Sequence, residues 1–239
     1  MGYKLLQLPE EALLMQRVHG LRDDFYEEGD GWATTATDSG ATAVGDAVGG
    51  VMAITASDGT AADNDETYFH QAAETFKFAD GKPIEMEARV QFTEANTDDA
   101  NVLVGLLNAW AANAIQDNGA GVKADASGCG FFKVDGGTNW KVFFSDSTTQ
   151  DIVELTAQNS LTRTAQTAGG ASYQRLGVKV LANGIRLEVQ FFIDDVLVYR
   201  MIDKTFANAT EMELGFGVKN GGANLETLNV DYAYCYQAR

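Results

Sequence analysis

Basic charge is what this chain lacks most. Lys and Arg together number 17 against 34 Asp and Glu, a formal net charge of −17. Nucleic-acid binding needs a basic footprint to displace counterions, so that class of partner is excluded. Histidine is nearly absent, with only His19 and His70, and cysteine is limited to Cys129 and Cys235. Neither a CxxC pair nor a Cys/His cluster exists, which leaves no transition-metal site of the usual spacing. The two thiols are far apart in sequence and read as buried and reduced, although neighbouring strands would allow a disulfide. No apolar run approaches the roughly 20 residues needed to span a bilayer, so a membrane partner is not expected. The N-terminus lacks a signal peptide's pattern: after Lys4 only Leu5, Leu6, Gln7, Leu8 and Pro9 precede Glu10 and Glu11. The expectation is synthesis in the cytoplasm without classical export. No cofactor is called for.

Proline is also scarce, with two residues against 25 glycines in 239. That balance suits many short strands joined by polar turns. The segment Ile84–Phe92 alternates apolar and polar residues without a break, as a strand with one buried face does. Residues 185–193 and 212–218 alternate in the same way, and 101–107 is more continuously apolar and lies deeper. About a dozen strands follow, at roughly 41–45, 50–56, 67–78, 84–93, 101–107, 128–134, 140–145, 150–155, 173–181, 185–193, 196–202, 212–219 and 225–236. Residues 131–144 read as a hairpin around Asp135-Gly136-Gly137-Thr138-Asn139. The loosest stretches, 108–127 and 157–171, are polar loops expected at the ends of a sandwich. The fold class is all-β: a two-sheet antiparallel jelly-roll sandwich over 23–239, preceded by an arm over 1–22. Pro9-Glu10-Glu11 starts a short helix over about 9–19, ending at Gly20. The arm's anchors, Leu5, Leu6, Leu13 and Leu14, suit docking on a partner.

Two segments carry a family resemblance. Phe191-Phe192-Ile193-Asp194-Asp195-Val196-Leu197-Val198 is strand, acidic turn, strand. Asn229-Val230-Asp231-Tyr232-Ala233-Tyr234-Cys235-Tyr236-Gln237 is a closing strand with alternate aromatics. Together with Ile84–Val90 they resemble the concanavalin A-like (lectin/glucanase) jelly rolls, over about residues 67–237. In the hydrolases of that family a strand following this one carries E-x-D-x-x-E. Here the stretch from Gly105 to Gly130 has no glutamate, only Asp117 and Asp125. Glu85 and Glu87 share a strand face but read as its solvated side rather than a catalytic pair. No enzymatic activity is expected.

Asp58-Gly59-Thr60-Ala61-Ala62-Asp63-Asn64-Asp65-Glu66 is rich in hard oxygen ligands, yet lacks EF-hand spacing and reads as a solvated turn with Asp and Asn capping backbone amides. For sugar binding, Trp32, Trp110, Trp140, Tyr68 and Tyr173 are the candidate platforms. Trp110, in a loop with Asn108, Asn113 and Asp117, is the best candidate for an exposed ring. The N-terminal pattern Asp23-Asp24-Phe25-Tyr26, Trp32, Gly40, Gly49-Gly50-Val51 and Asp63–Glu66 resembles tailed-bacteriophage virion proteins, capsid decoration (cement) proteins among them. That resemblance implies a structural protein on the capsid exterior of a virion, forming a homo-oligomer and binding the major capsid protein. The alternative it leaves is a non-catalytic carbohydrate-binding module.

Overall fold

The computed structural model describes residues 17–27, 29–94, 99–170, 172–206 and 210–239. Among these residues seventeen strands occur in order: β1 (Val18–Asp23), β2 (Trp32–Ala36), β3 (Ala41–Val44), β4 (Met52–Thr55), β5 (Glu66–Gln71), β6 (Ile84–Thr93), β7 (Ala100–Leu107), the short β8 (Ile115–Gln116) and β9 (Gly121–Val122), β10 (Ser127–Lys133), β11 (Lys141–Asp146), β12 (Gln150–Glu154), β13 (Gln174–Asn183), β14 (Arg186–Ile193), β15 (Val196–Thr205), β16 (Glu213–Asn220) and β17 (Thr227–Ala238). There is no helix among the described residues. One antiparallel sheet runs β15-β14-β13-β6-β17-β4-β3, with β1 also paired to β17. The second runs β12-β11-β10-β7-β16-β5-β2. The all-β jelly-roll sandwich expected from the alternating pattern is the fold observed.

The turn at Asp194-Asp195 shows how closely local chemistry sets the pairing. Both residues take positive φ, 49° and 66°, as a two-residue hairpin turn matched to strand twist requires. Asp tolerates that region better than most residues, and Asp194 Oδ1 is held across the sheet by the Arg175 amide of β13, which donates to it at 3.0 Å. Ile193 then faces Val196, which aligns β14 with β15.

The two sheets differ in burial, and the difference positions everything that follows. Strands of the first sheet alternate: β14 and β17 bury every second residue for most of their length. In the second sheet β7, β10 and β16 are buried at every position. The main core lies between the sheets, around Phe92, Phe131, Trp140, Phe191 and Phe216. A second apolar cluster covers the opposite face of the second sheet. There Tyr68, Leu103, Phe132 and Phe143 pack against Trp110, Ile115 and Val122 from the segment between β7 and β10. So the stretch 108–127, expected as a loop at one end of the sandwich, lies across a sheet face as far as residue 126 and closes it, and Ser127 opens β10.

Cys129 and Cys235 both sit in the main core as free, fully buried thiols. Burial pushes the Cys129 thiol up to about 12. Since the thiolate is the reactive species, both are expected to stay unmodified by a thiol reagent in buffer and to react stoichiometrically in denaturant. Native-state labelling at either position would contradict the packing described.

The N-terminal expectations meet the structure only in part. Leu5, Leu6, Leu13 and Leu14 lie outside the described residues, as does most of the helix expected over 9–19. Its tail does not: Val18 and His19 belong to β1, whose six residues pair with Ala233–Ala238 of β17. The last residues assigned to the arm therefore add a strand to the first sheet. The edge of β17 left free beyond β4 provides the backbone partners that draw them in.

Candidate functional site

Of the five aromatic platforms read from the sequence, three are interior. Trp110 is only 3 % exposed; its ring packs against Tyr68 and its indole N–H donates to the Glu213 carbonyl at 3.2 Å. The expectation of an exposed Trp110 ring is thus corrected. Two glycines of β16 make room for this packing. A Cβ at Gly215 would meet the Trp110 ring at 2.4 Å, and one at Gly217 would meet the Tyr68 ring at the same distance. Tyr68 and Trp140 are fully buried, with polar tips satisfied by Glu66 and Gln174. Trp32 stacks on Phe69 with centroids 4.7 Å apart and donates to Asp23. Tyr173, half-buried, holds the Arg89 guanidinium 4.3 Å from its ring centroid.

The open aromatic surface lies instead on the outer face of the first sheet. The bulge between Val230 and Tyr232 sets the phase of β17. Ala233 and Cys235 then point into the core, while Tyr232, Tyr234 and Tyr236 point out, Tyr234 and Tyr236 stacked at 5.6 Å. Register across the sheet brings four residues into one row: Phe192 of β14, Gly177 of β13, Glu87 of β6 and Tyr234 of β17. The next row holds Gln190, Lys179, Glu85 and Tyr236. Because Gly177 carries no side chain, the rows part there, leaving a groove of about 260 Å³ with Glu85, Glu87, Lys179, Asp195, Phe192 and Tyr234 around it. That lies just below the roughly 300–1,000 Å³ of drug-sized pockets and is open to solvent along the sheet.

The polar groups around the groove are held in place. Tyr232 donates its hydroxyl to Glu87 Oε1 at 2.6 Å. Arg175 Nη2 stands 2.6 Å from Asp195 Oδ2, and Lys179 Nζ stands 3.9 Å from Glu85. Burial first, then the neighbouring Glu87 carboxylate, push the phenols of Tyr232 and Tyr234 well above their ordinary range, so both remain hydrogen-bond donors at any physiological pH. Chemically the site offers an aromatic ring, an apolar edge in Phe192, carboxylate acceptors and the Lys179 ammonium beside Glu85. Glu85 and Glu87 do share this solvated face, as the alternation implies.

The loop from Asp58 to Glu66 bonds as a turn. Asp58 Oδ1 accepts from the Thr60 amide at 3.1 Å and Asp65 Oδ2 from the Ala62 amide at 2.7 Å. Glu66 is buried and belongs to β5.

In the sequence the alternate tyrosines of β17 mark the fold, and the groove beside them emerges only with the register of the sheet. The available signal was the partner set: Ala233 and Cys235, small and apolar, fill the inward positions of that alternation, which turns the tyrosines outward.

No family model and no curated protein sequence matches this chain. Solved structures do match its fold. The carbohydrate recognition domain of Emp47p superposes with a TM-score of 0.60 at 12% identity, covering 94% of this chain and 98% of its own. The endo-beta-1,4-glucuronan lyase of the fungus Trichoderma reesei matches with a TM-score of 0.59 at 10% identity, over 90% and 94% of the two chains. Peanut lectin, solved with a nine-residue peptide, matches with a TM-score of 0.54 at 10% identity over 92% and 97%. At such identities the likeness is one of architecture, and the architecture is the lectin-like, concanavalin A-like jelly roll.

Proposed function

We propose that this protein is a non-catalytic carbohydrate-binding module whose site is the Gly177 groove on the outer face of the first sheet. The groove itself carries the reading: an open channel floored by a glycine, with a tyrosine ring and Phe192 at its sides and carboxylates within reach. A sugar presents C–H faces to an aromatic ring and hydroxyl donors to carboxylates, and charge-assisted bonds of that kind are the stronger ones. Support also comes from the fold, shared with a carbohydrate recognition domain and a legume lectin. The stretch Gly105–Gly130, where the hydrolase resemblance would place its acidic motif, has no glutamate, and the outward side of β10 carries Phe132 beneath the 108–126 segment. That arrangement supports binding rather than cleavage.

Capsid decoration rests on the sequence resemblance and on the leucine-rich arm. The groove favours the carbohydrate reading over it.

The test is Gly177→Val. A Cβ there would lie 3.4 Å from Phe192 Cβ and 3.9 Å from Glu87 Oε2, so the side chain enters the groove between them. Gly177 is buried at the floor of the groove, so urea unfolding of the variant is compared with wild type first, and binding is read on protein shown to be folded. On a glycan array and in affinity gels, wild type should bind an oligosaccharide that the variant binds at least about tenfold more weakly, a loss of about 1.4 kcal/mol. Equal binding by the variant would move the site elsewhere. A wild type that binds no glycan of a broad panel would remove the function proposed.

A further inference from the structure

Lys219, on β16, is fully buried, and its ammonium lies where the 108–126 segment crosses the second sheet. It donates to Glu66 Oε2 at 3.0 Å, Asn113 Oδ1 at 2.8 Å and the Ile115 carbonyl at 2.9 Å, and to Asp117 Oδ1. An ammonium has three protons, yet four oxygens converge on this one. Three of them come from a single five-residue run, Asn113–Asp117, wrapped around the same point. The donor set is two carboxylates, an amide oxygen and a backbone carbonyl, the mixture of hard oxygens that calcium takes. Two carboxylates face one ammonium, so the cage holds a surplus negative charge that a divalent ion would balance. Glu66 is fixed independently: the Tyr68 hydroxyl donates to Oε2 at 2.5 Å and the Asn113 amide to Oε1 at 2.7 Å. The carboxylate is therefore oriented by groups other than the lysine.

We infer that Lys219 is a tethered cation seated in a metal-type oxygen cage, and that the same cage binds Ca²⁺ once the lysine side chain is removed. In the native chain the amino group holds the 108–126 segment over the second sheet without any dissolved ion. The segment's closure is consequently independent of calcium.

Thermal melting of wild type, Lys219→Ala and Lys219→Met, each in EDTA and in a CaCl₂ series, tests this. Wild type should melt at one temperature throughout. Lys219→Ala should melt lower in EDTA and recover by about 5 °C or more in millimolar Ca²⁺, since a ligand of the native state stabilises in proportion to its saturation. Lys219→Met, whose stem still fills the cage, should gain nothing. Should Lys219→Ala be unfolded in EDTA, refolding from urea gives the same reading: recovery in Ca²⁺ supports the inference, and failure with and without Ca²⁺ overturns it. A Lys219→Ala protein indifferent to Ca²⁺, or a Lys219→Met protein that gains as much, also overturns it.

Discussion

Trp110→Ala is expected to lower the unfolding free energy by about 3–5 kcal/mol, the range for deleting a large buried aromatic. The ring is 3 % exposed, packs on Tyr68 and covers the Gly215 backbone, and its N–H satisfies the Glu213 carbonyl. Deletion therefore leaves a cavity and takes a donor from a buried carbonyl together. Urea denaturation of variant and wild type measures it. Carbohydrate binding by the fraction still folded should be unchanged, because the Gly177 groove lies on the other sheet. A variant of unaltered stability that lost glycan binding would restore Trp110 as a surface platform and contradict the packing.

Lys219→Met should be nearly as costly, about 3–5 kcal/mol, the range for removing one partner of a buried ion pair. The methionine stem fills the volume, so the loss comes from charge. Glu66, 2 % exposed, keeps its carboxylate but loses the cation beside it, and Asn113 Oδ1 and the Ile115 carbonyl lose a donor. Because those groups fasten the 108–126 segment, amide exchange in that segment should accelerate more than in β6 or β17. Uniform acceleration across both sheets would mean that the lysine supports the whole fold rather than this closure.

The strands were legible because their period-2 patterns are strong: Ile84–Thr93 forms β6 over the span its alternation marks. Val18–Asp23 and Trp32–Ala36 were missed. Gly20 and Arg22 in one, and Thr34, Thr35 and Ala36 in the other, dilute the apolar signal, and pairing with β17 and β5 decides their state. The 108–126 segment misled for a related reason. Its composition is that of an exposed loop, and Trp110, Ile115 and Val122, with the small Ala114 and Ala126, do the burying. Which sheet face they land on is a long-range fact that local sequence does not encode. The same holds for Lys219: a lysine in an apolar strand reads as an edge residue until four oxygens are seen around it. The groove depends on register, since Gly177 leaves a channel only when Phe192, Glu87 and Tyr234 align beside it.

Backbone amide shift mapping during titration with an oligosaccharide selected from the array tests the central claim most directly. The account predicts perturbations concentrated at Gly177, Phe192, Glu87 and Tyr234, with the 108–126 segment and the second sheet unmoved. Perturbations centred on the loops beside β7, β10 and β16, with the Gly177 groove silent, would contradict it.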